Sequence, residues 1–225
     1  ATFIKPYVIL ELRRCLCFDF SRFIVIQVFC PMTLLQKMMV LMVTISSSAA
    51  AEPLRVMGKD SIQTNMGWQG VNDTVMGGRS ESSFASNNRQ LQFSGRLNTN
   101  GGGFASLRSN RQDWDLSGFS VVRLKVRGDG RTYRFRLYRD DDRASYQHDF
   151  ATTAGEWQVV ELPIDGFYAS WRGRRLERPA LAASDIAGMG LILADGIDGR
   201  FDLTLDWIEL DHAGAPQTRK TNEGD

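Results

Sequence analysis

The feature that most constrains the fold of this 225-residue chain is a side-chain alternation of period two in its C-terminal half. In one segment, Val122, Leu124 and Val126 alternate with charged residues, and the same pattern recurs over 133–137 and 201–207. A period of two is typical of a β-strand with one face on a core and one towards solvent, whereas an amphipathic helix repeats near 3.6. The alternation therefore predicts antiparallel sheets with one buried face.

Turn-forming residues separate these strands from further ones. Asn87-Asn88, the run 128–130 and the run 195–199 supply Asn, Asp or Gly where hairpin or arch connections are needed. The only helix-like piece is a turn over 182–187, with Ser184 as its N-cap. Eight or more antiparallel strands with almost no helix predict an all-β protein, a jelly-roll β-sandwich. The further strands are predicted over 90–97, 104–108, 157–160 and 190–193.

The first 51 residues differ from the rest and predict a targeting segment. We interpret 1–31 as an upstream extension and 32–51 as a signal peptide that starts at Met32 and ends in the A-x-A cleavage site Ala49-Ala50-Ala51. This pattern predicts export to the periplasm, with Glu52 as the mature N-terminus. An organelle presequence, and hence a mitochondrial location, is one alternative, because the first fifty residues carry five Lys and Arg against two acidic residues. A cytoplasmic location is the other.

Composition after residue 51 limits the classes of function. The three cysteines all precede that point, so the mature chain would have no thiol for catalysis or metal binding. Residues 52–225 carry 22 Lys and Arg against 24 Asp and Glu, a net charge of −2, which gives no long-range field to attract nucleic acid. The apolar core of the predicted signal peptide is shorter than the about 20 residues that cross a bilayer, so no permanent membrane span is predicted.

The rest of the chain divides into three parts. Residues 52–65 are predicted to be a linker or an edge, and 66–211 a single jelly-roll domain of a size that can hold one core. The polar residues 212–225, which include Gly214 and Pro216, are predicted to be a disordered tail.

Signatures of catalysis are mostly absent, and we predict a protein that is not an enzyme. The sequence has no Gly-x-Ser-x-Gly elbow, no phosphate-binding P-loop and no His-Glu-x-x-His pair. His148 is predicted to be a structural residue on a strand, since no nucleophile accompanies it. The run Asp140–Asp142 is interpreted as a solvated hairpin tip, with Ca²⁺ ligation as an alternative that one loop could not complete alone. No metal and no cofactor are predicted.

Two glycine-rich segments are the best candidates for a functional site: Trp68–Ser80 and Asn100–Arg108. Glycines permit positive φ angles and close backbone approach, so both segments should form tight, specifically shaped loops. Asp73 and Arg108 stand among small and apolar neighbours, and our hypothesis is a structural ion pair that ties the loops together. The alternative is that Asn72 joins them in a cleft for a polar ligand.

The predicted binding surface takes residues from both segments, with core packing as the alternative for its apolar members. It consists of Trp68, Asn72, Asp73, Met76, Gly77, Gly78, Gly102, Gly103, Phe104 and Arg108.

Together the two segments resemble the signature of the complex I intermediate-associated protein 30 family, which includes many bacterial relatives; this chain resembles a bacterial-type member. Later landmarks follow in the family's order, among them Tyr133-Arg134-Phe135, Arg172-Gly173-Arg174 and Gly199-Arg200-Phe201. The resemblance covers roughly 66–211. It implies a galactose-binding-like jelly roll, in agreement with the periodicity. It also implies a role in assembly of the respiratory NADH:ubiquinone oxidoreductase, complex I, with its subunits or assembly intermediates as partners.

Two functions are therefore predicted. The first is a non-catalytic, chaperone-like factor that binds a polypeptide partner through the shaped loops. The second is an exported carbohydrate- or small-ligand-binding module, because galactose-binding-like jelly rolls often bind sugars with aromatic side chains. Trp171 and Tyr168 are available for such stacking, whereas Trp157 is predicted to belong to the core.

Overall fold

Two antiparallel sheets face each other across one apolar core. The computed structural model describes residues 52–62, 66–87 and 89–212; the predicted N-terminal extension, the predicted signal peptide and residues 213–225 lie outside the described residues. In the described part the regular structure consists of β-strands and three short 3₁₀ turns. The predicted all-β, jelly-roll-like fold class is confirmed.

Thirteen strands are described, and those at Val121–Arg127, Thr132–Tyr138 and Gly199–Asp211 show the alternation read from the sequence. They are β1 (Leu54–Met57), β2 (Gln69–Asn72), β3 (Glu81–Ser86), β4 (Leu91–Leu97), β5 (Ala105–Arg108), β6 (Val121–Arg127), β7 (Thr132–Tyr138), β8 (Ser145–Ala151), β9 (Trp157–Pro163), β10 (Tyr168–Trp171), β11 (Arg174–Arg175), β12 (Gly188–Leu193) and β13 (Gly199–Asp211).

One sheet has the strand order β3-β4-β13-β6-β9, with β1 paired to β13. The segment 52–65, predicted as a linker or an edge, thus contributes a strand to this sheet. The inner face of this sheet is apolar because the side chains that β6 and β13 turn inward are apolar, for example Leu124 opposite Ile208.

The other sheet has the order β11-β10-β8-β7-β12-β5-β2. The inner side chains of β7 are Tyr133, Phe135 and Leu137, all buried, and the intervening residues face outward. Pairing places Gly190 of β12 beside Arg108 of β5 on one side and Arg136 of β7 on the other. The outer face of this sheet therefore presents arginines on neighbouring strands.

The prediction that Trp157 belongs to the core is wrong. Its side chain is 40% exposed, and β9 instead turns Val160 and Leu162 inward, opposite Leu124 and Val122 of β6. Apolar residues at 157, 159, 160 and 162 permit two phases of alternation. Pairing with β6 selects the phase, since a shift of one residue exchanges the two faces of a strand.

We expect Trp157→Ala to lower the free energy of unfolding by less than about 1 kcal/mol, because the ring is contacted from the solvent side by Lys125 and Arg127, and exposed cation–π contacts contribute about 0.5–1 kcal/mol. The matched control is Phe135→Ala, which empties a fully buried site and should cost about 3–5 kcal/mol. Urea denaturation measures both. Equal losses in the two variants would contradict the assigned register.

The helix-like turn predicted over 182–187 is a 3₁₀ turn of three residues, Ala183–Asp185. Ser184 is not its N-cap: Ala182 occupies that position, and no side chain caps the turn. In the part of the chain that the structure covers, no helix is long and apolar enough to cross a membrane.

Candidate functional site

The two glycine-rich segments meet at the carboxylate of Asp73, which is completely buried. Asp73 begins a 3₁₀ turn directly after β2. Its carboxylate accepts hydrogen bonds from the backbone N–H (2.9 Å) and the hydroxyl (2.6 Å) of Ser80 and from the N–H of Gly103 (2.6 Å), and a longer one from the N–H of Phe104 (3.4 Å). Fixed donors from both segments thus satisfy both carboxylate oxygens, and the burial of this charge requires no cation.

The predicted Asp73–Arg108 ion pair is wrong. The guanidinium of Arg108 lies 4.0 Å from the ring centroid of Tyr138, and in the described part of the chain no ion pair joins it to Asp73. The reason is the alternation of β5: Ala105 and Leu107 point into the core, so Arg108 points outward. Asp73 does tie the loops together, but through backbone and hydroxyl donors.

The glycines of both segments are explained by how closely the backbone packs on this carboxylate. A Cβ atom on Gly78 would lie 2.3 Å from the Asp73 carboxyl carbon, and one on Gly102 would lie 2.4 Å from a carboxylate oxygen. Gly77 ends the 3₁₀ turn with φ of 87°, a conformation that other residues rarely adopt. We call Asp73 and the residues packed around its carboxylate, Gly78, Ser80, Gly102 and Gly103, the carboxylate cage.

The same hydrogen bonds set the pKa of Asp73. Burial by itself would raise the pKa of this carboxyl, but the bonds from Ser80, Gly103 and Phe104 favour the charged form and hold its pKa below the ordinary value. Asp73 is therefore ionised at neutral pH as a structural anion.

Other predicted residues divide between the core and the loops. Trp68 is buried in the core, which matches the alternative given for it. Asn72 accepts a hydrogen bond of 2.6 Å from the hydroxyl of Ser82 on β3. The side chain of Met76 lies outside the described part. Phe104 is half-buried and Arg108 is exposed.

A cleft of about 490 Å³ on the outer face of the second sheet brings part of the predicted surface together with residues that the sequence analysis did not select. Gly102, Gly103, Phe104 and Arg108 line it, and so does the buried Asp73. Trp171, predicted only for the sugar-binding alternative, also lines it and is 43% exposed. We call this feature the arginine cleft, because five arginines line it: Arg108, Arg134, Arg136, Arg143 and Arg172.

Among the described residues, one of these five arginines has a carboxylate partner. Arg134 pairs with Asp149 at 2.8 Å. Arg136 is half-buried, and its guanidinium donates a long hydrogen bond of 3.4 Å to the side-chain amide oxygen of Gln147. Within the described residues, no ion pair involves Arg108, Arg136, Arg143 or Arg172.

The sequence contained one signal for this cleft. The outward residues of β7, Arg134 and Arg136, were visible as the polar half of the alternation. The residues that lie beside them on neighbouring strands could not be predicted from the sequence, because only the strand order brings β5, β8, β10 and β12 together with β7. Tyr168 faces the same side, but its ring is covered by the guanidinium of Arg175 at 4.5 Å.

The acidic run Asp140–Asp142 is an ion-pair cluster. Asp140 pairs with Arg111, Asp141 with Arg139 at 3.2 Å, and Asp142 with Arg178. Among the described residues, no group of three or more His, Cys, Asp or Glu is placed to hold a metal ion. The single histidine of β8, His148, packs its ring against Phe167 at 5.4 Å.

Two packed antiparallel sheets define a jelly-roll-like domain, with an open cleft on one outer face. A solved structure with this architecture is the family 11 carbohydrate-binding module from Clostridium thermocellum in complex with a β-1,3-1,4-mixed-linked tetrasaccharide. It covers 73% of this chain and 98% of its own length, with a TM-score of 0.55 and 14% identity. At that identity the similarity shows the fold alone.

Residues 57–205 match the family model of complex I intermediate-associated protein 30, and the chain belongs to this family. The mouse mitochondrial complex I intermediate-associated protein 30 is 29% identical over 166 residues, which cover 63% of this chain and 51% of that protein. The Drosophila melanogaster protein of the same name is 28% identical over 127 residues, 49% of this chain and 43% of that protein. The chain thus spans about half the length of these relatives or less.

The predicted periplasmic location is contradicted by these relatives. The proteins from mouse, Drosophila melanogaster and Caenorhabditis briggsae are all named as mitochondrial or probable mitochondrial proteins, which points to the mitochondrion rather than the periplasm. The prediction of export rested on a short apolar core before small residues. An excess of Lys and Arg over acidic residues in the first fifty positions is also typical of organelle presequences.

Proposed function

We propose that this protein is a non-catalytic, chaperone-like factor that binds subunits or assembly intermediates of respiratory complex I in the mitochondrion. The observation that carries the proposal is membership of the complex I intermediate-associated protein 30 family over 57–205. The five cationic residues against two acidic ones in the first fifty positions support the organelle location.

The candidate contact surface is the edge of the arginine cleft formed by the second glycine-rich loop. Hydrogen bonds to Asp73 hold the backbone of Gly103 and Phe104, so the Phe104 side chain is presented by a fixed loop. Aromatic side chains on preorganised backbone are favoured anchors, because little conformational entropy is lost on binding.

We expect Phe104→Ala to reduce the recovery of complex I subunits with the tagged full-length chain about 30-fold, because an aromatic anchor contributes about 2 kcal/mol or more to an interface. The melting temperature should change little, since the side chain is only half-buried. The measurement is affinity purification from mitochondria followed by quantitative mass spectrometry.

The matched control is Phe84→Ala, which removes a 41% exposed phenylalanine from β3, in the other sheet. It should leave recovery unchanged. Failure of the unaltered chain to enrich complex I subunits over an unrelated tagged mitochondrial protein would contradict the proposed function.

A carbohydrate- or small-ligand-binding module is the second candidate, favoured by the exposed Trp171 at the cleft. It predicts binding of free saccharides that Trp171→Ala abolishes and Phe104→Ala leaves intact. Titration with neutral and acidic oligosaccharides separates the two candidates, because an assembly factor that binds a polypeptide does not respond to free sugars.

A further inference from the structure

The arginine cleft holds more cationic charge than its own carboxylates neutralise. Five arginines and one aspartate, Asp73, line it, and the oxygens of Asp73 are occupied by Ser80 and the second glycine-rich loop. Elsewhere half-buried arginines have carboxylate partners, as Arg123 does in Asp211 at 2.5 Å and Arg131 in Asp195 at 2.5 Å. A half-buried cation without such a partner, as at Arg136, is costly unless a ligand supplies the anion.

Two of the guanidinium groups are held on the same patch of sheet. Arg108 reaches from β5 across β12 to lie over Tyr138, two residues along β7 from Arg136. Gly190 lies between the two arginines and has no side chain to separate them. Like charges on one sheet face repel, whereas an anion placed between them would accept hydrogen bonds from both.

The hairpin turn between β10 and β11 adds a further cation and an aromatic ring to the lining of the cleft. Arg172 has a φ of 49°, a left-handed conformation that a non-glycine residue adopts at a cost, and Gly173 follows with φ of 77°. Its guanidinium lies 4.7 Å from the ring centroid of Trp171. Positive φ at both central residues is the usual geometry of a two-residue hairpin turn, and this turn presents a cation and an aromatic ring to the cleft.

The distribution of these charges indicates the form of the ligand. Arg108 and Arg136 lie on strands separated by one other strand, about 9.5 Å apart at the backbone. Arg143 lies in the loop after β7, and Arg172 lies at the β10–β11 turn. A single phosphate or carboxylate could neutralise only part of this array. An extended chain with several carboxylates, on alternate residues about 6.7 Å apart, can reach more of these arginines than a single anion can.

We propose that the arginine cleft binds an extended acidic segment of a polypeptide partner, with Arg108 and Arg136 as the central carboxylate-binding residues. The guanidinium groups would take carboxylates in paired hydrogen bonds, and Phe104 and Trp171 would contact the apolar parts of the segment. This inference rests on the proposed function for the polypeptide nature of the ligand. The cleft therefore selects partner surfaces by charge.

The test is fluorescence polarisation of the full chain with a labelled decapeptide of alternating glutamate and serine. We expect Arg136→Gln to weaken binding about tenfold and Arg108→Gln with Arg136→Gln about a hundredfold. Binding should also weaken as salt is raised from about 50 to about 300 mM. Arg127→Gln, an exposed arginine on the other sheet that also contacts an aromatic ring, is the matched control and should bind normally.

A decapeptide of alternating lysine and serine should not bind. If Arg136→Gln does not fold, as judged by circular dichroism, Arg143→Gln replaces it, because that side chain is exposed in a loop. Acidic-peptide binding that is equal in the double variant and in Arg127→Gln would overturn the inference, as would arginine-dependent binding of tetragalacturonate, cardiolipin vesicles or inorganic phosphate without binding of the peptide.

Failure of the inference and failure of the proposed function can be distinguished. If the unaltered chain enriches complex I subunits and the double arginine variant enriches them equally, the family role stands and the cleft is not its acidic-segment site. If the peptide binds through Arg108 and Arg136 but no complex I subunit is enriched, the site stands and its partner lies outside complex I.

Discussion

Replacement of Asp73 by alanine should lower the free energy of unfolding by about 3–5 kcal/mol, although the residue is neither apolar nor paired with a cation. The change would leave the N–H groups of Gly103 and Ser80 without their acceptor in a buried site. Hydrogen bonds to a charged group contribute about 1.5–3 kcal/mol each, and an unsatisfied buried donor costs about 1–3 kcal/mol. Urea denaturation at pH 7 measures the loss.

The pH dependence gives a second measure of the same contacts. Since the folded-state pKa of Asp73 lies below its ordinary value, its charged form stabilises the fold above the unfolded-state pKa of about 3.9, and this contribution is lost as the pH falls through the folded-state pKa. The stability difference between the unaltered chain and Asp73→Asn should therefore be full at pH 7 and shrink below about pH 4. A difference that does not vary with pH would contradict the lowered pKa.

A double-mutant cycle tests whether Asp73 is stabilised by the hydrogen bonds of the carboxylate cage or by the ion pair with Arg108 that was expected from the sequence. Asp73→Asn and Arg108→Gln should have additive effects on stability within about 0.5 kcal/mol, because the two side chains contact different groups. Arg108→Gln alone should cost little, since its guanidinium lies on the exposed side of Tyr138. Coupling above about 1 kcal/mol would restore the ion-pair hypothesis.

The fold could be read from the sequence wherever alternation has a single phase. β6, β7 and β13 lie where Val122, Tyr133 and Phe201 begin regular apolar–polar repeats. For β9 the sequence does not determine which residues face the core, because the adjacent Val159 and Val160 are compatible with either face. Pairing with β6 determines it. β1 was left open between linker and edge, since four residues give too short a pattern to establish a strand.

The site could be predicted only in part, for a related reason. Asp73 and the glycines were selected from the sequence, and the structure places Gly78 and Gly102 against the Asp73 carboxylate, but charge complementarity suggested Arg108 as the partner. Backbone N–H groups are present at every position, so no residue pattern reveals that Gly103 and Phe104 donate to this carboxylate. The cleft arginines Arg134 and Arg136 looked like ordinary solvent-facing charges, because concavity arises from strand order rather than from any local segment.

Gly102→Ala should lower the free energy of unfolding by about 2–3 kcal/mol, because its Cβ atom would lie 2.4 Å from a carboxylate oxygen of Asp73. A side-chain end can normally move aside at little cost. This one cannot, because Ser80 and Gly103 hold it in place. The control is Gly70→Ala, where the nearest atoms lie at an ordinary contact distance of 3.8 Å on Phe84, and the change should cost less than about 1 kcal/mol.

The cage also predicts a specific coupling. Once Asp73 is replaced by alanine, the carboxylate that clashes with a methyl group at position 102 is gone. The combined variant should then lose about 2 kcal/mol less than the sum of the two single changes. Additive losses in chemical denaturation would mean that Gly102 is required for loop conformation alone. Sub-additive losses would show that Gly102 is required for close packing of the backbone against the buried Asp73 carboxylate.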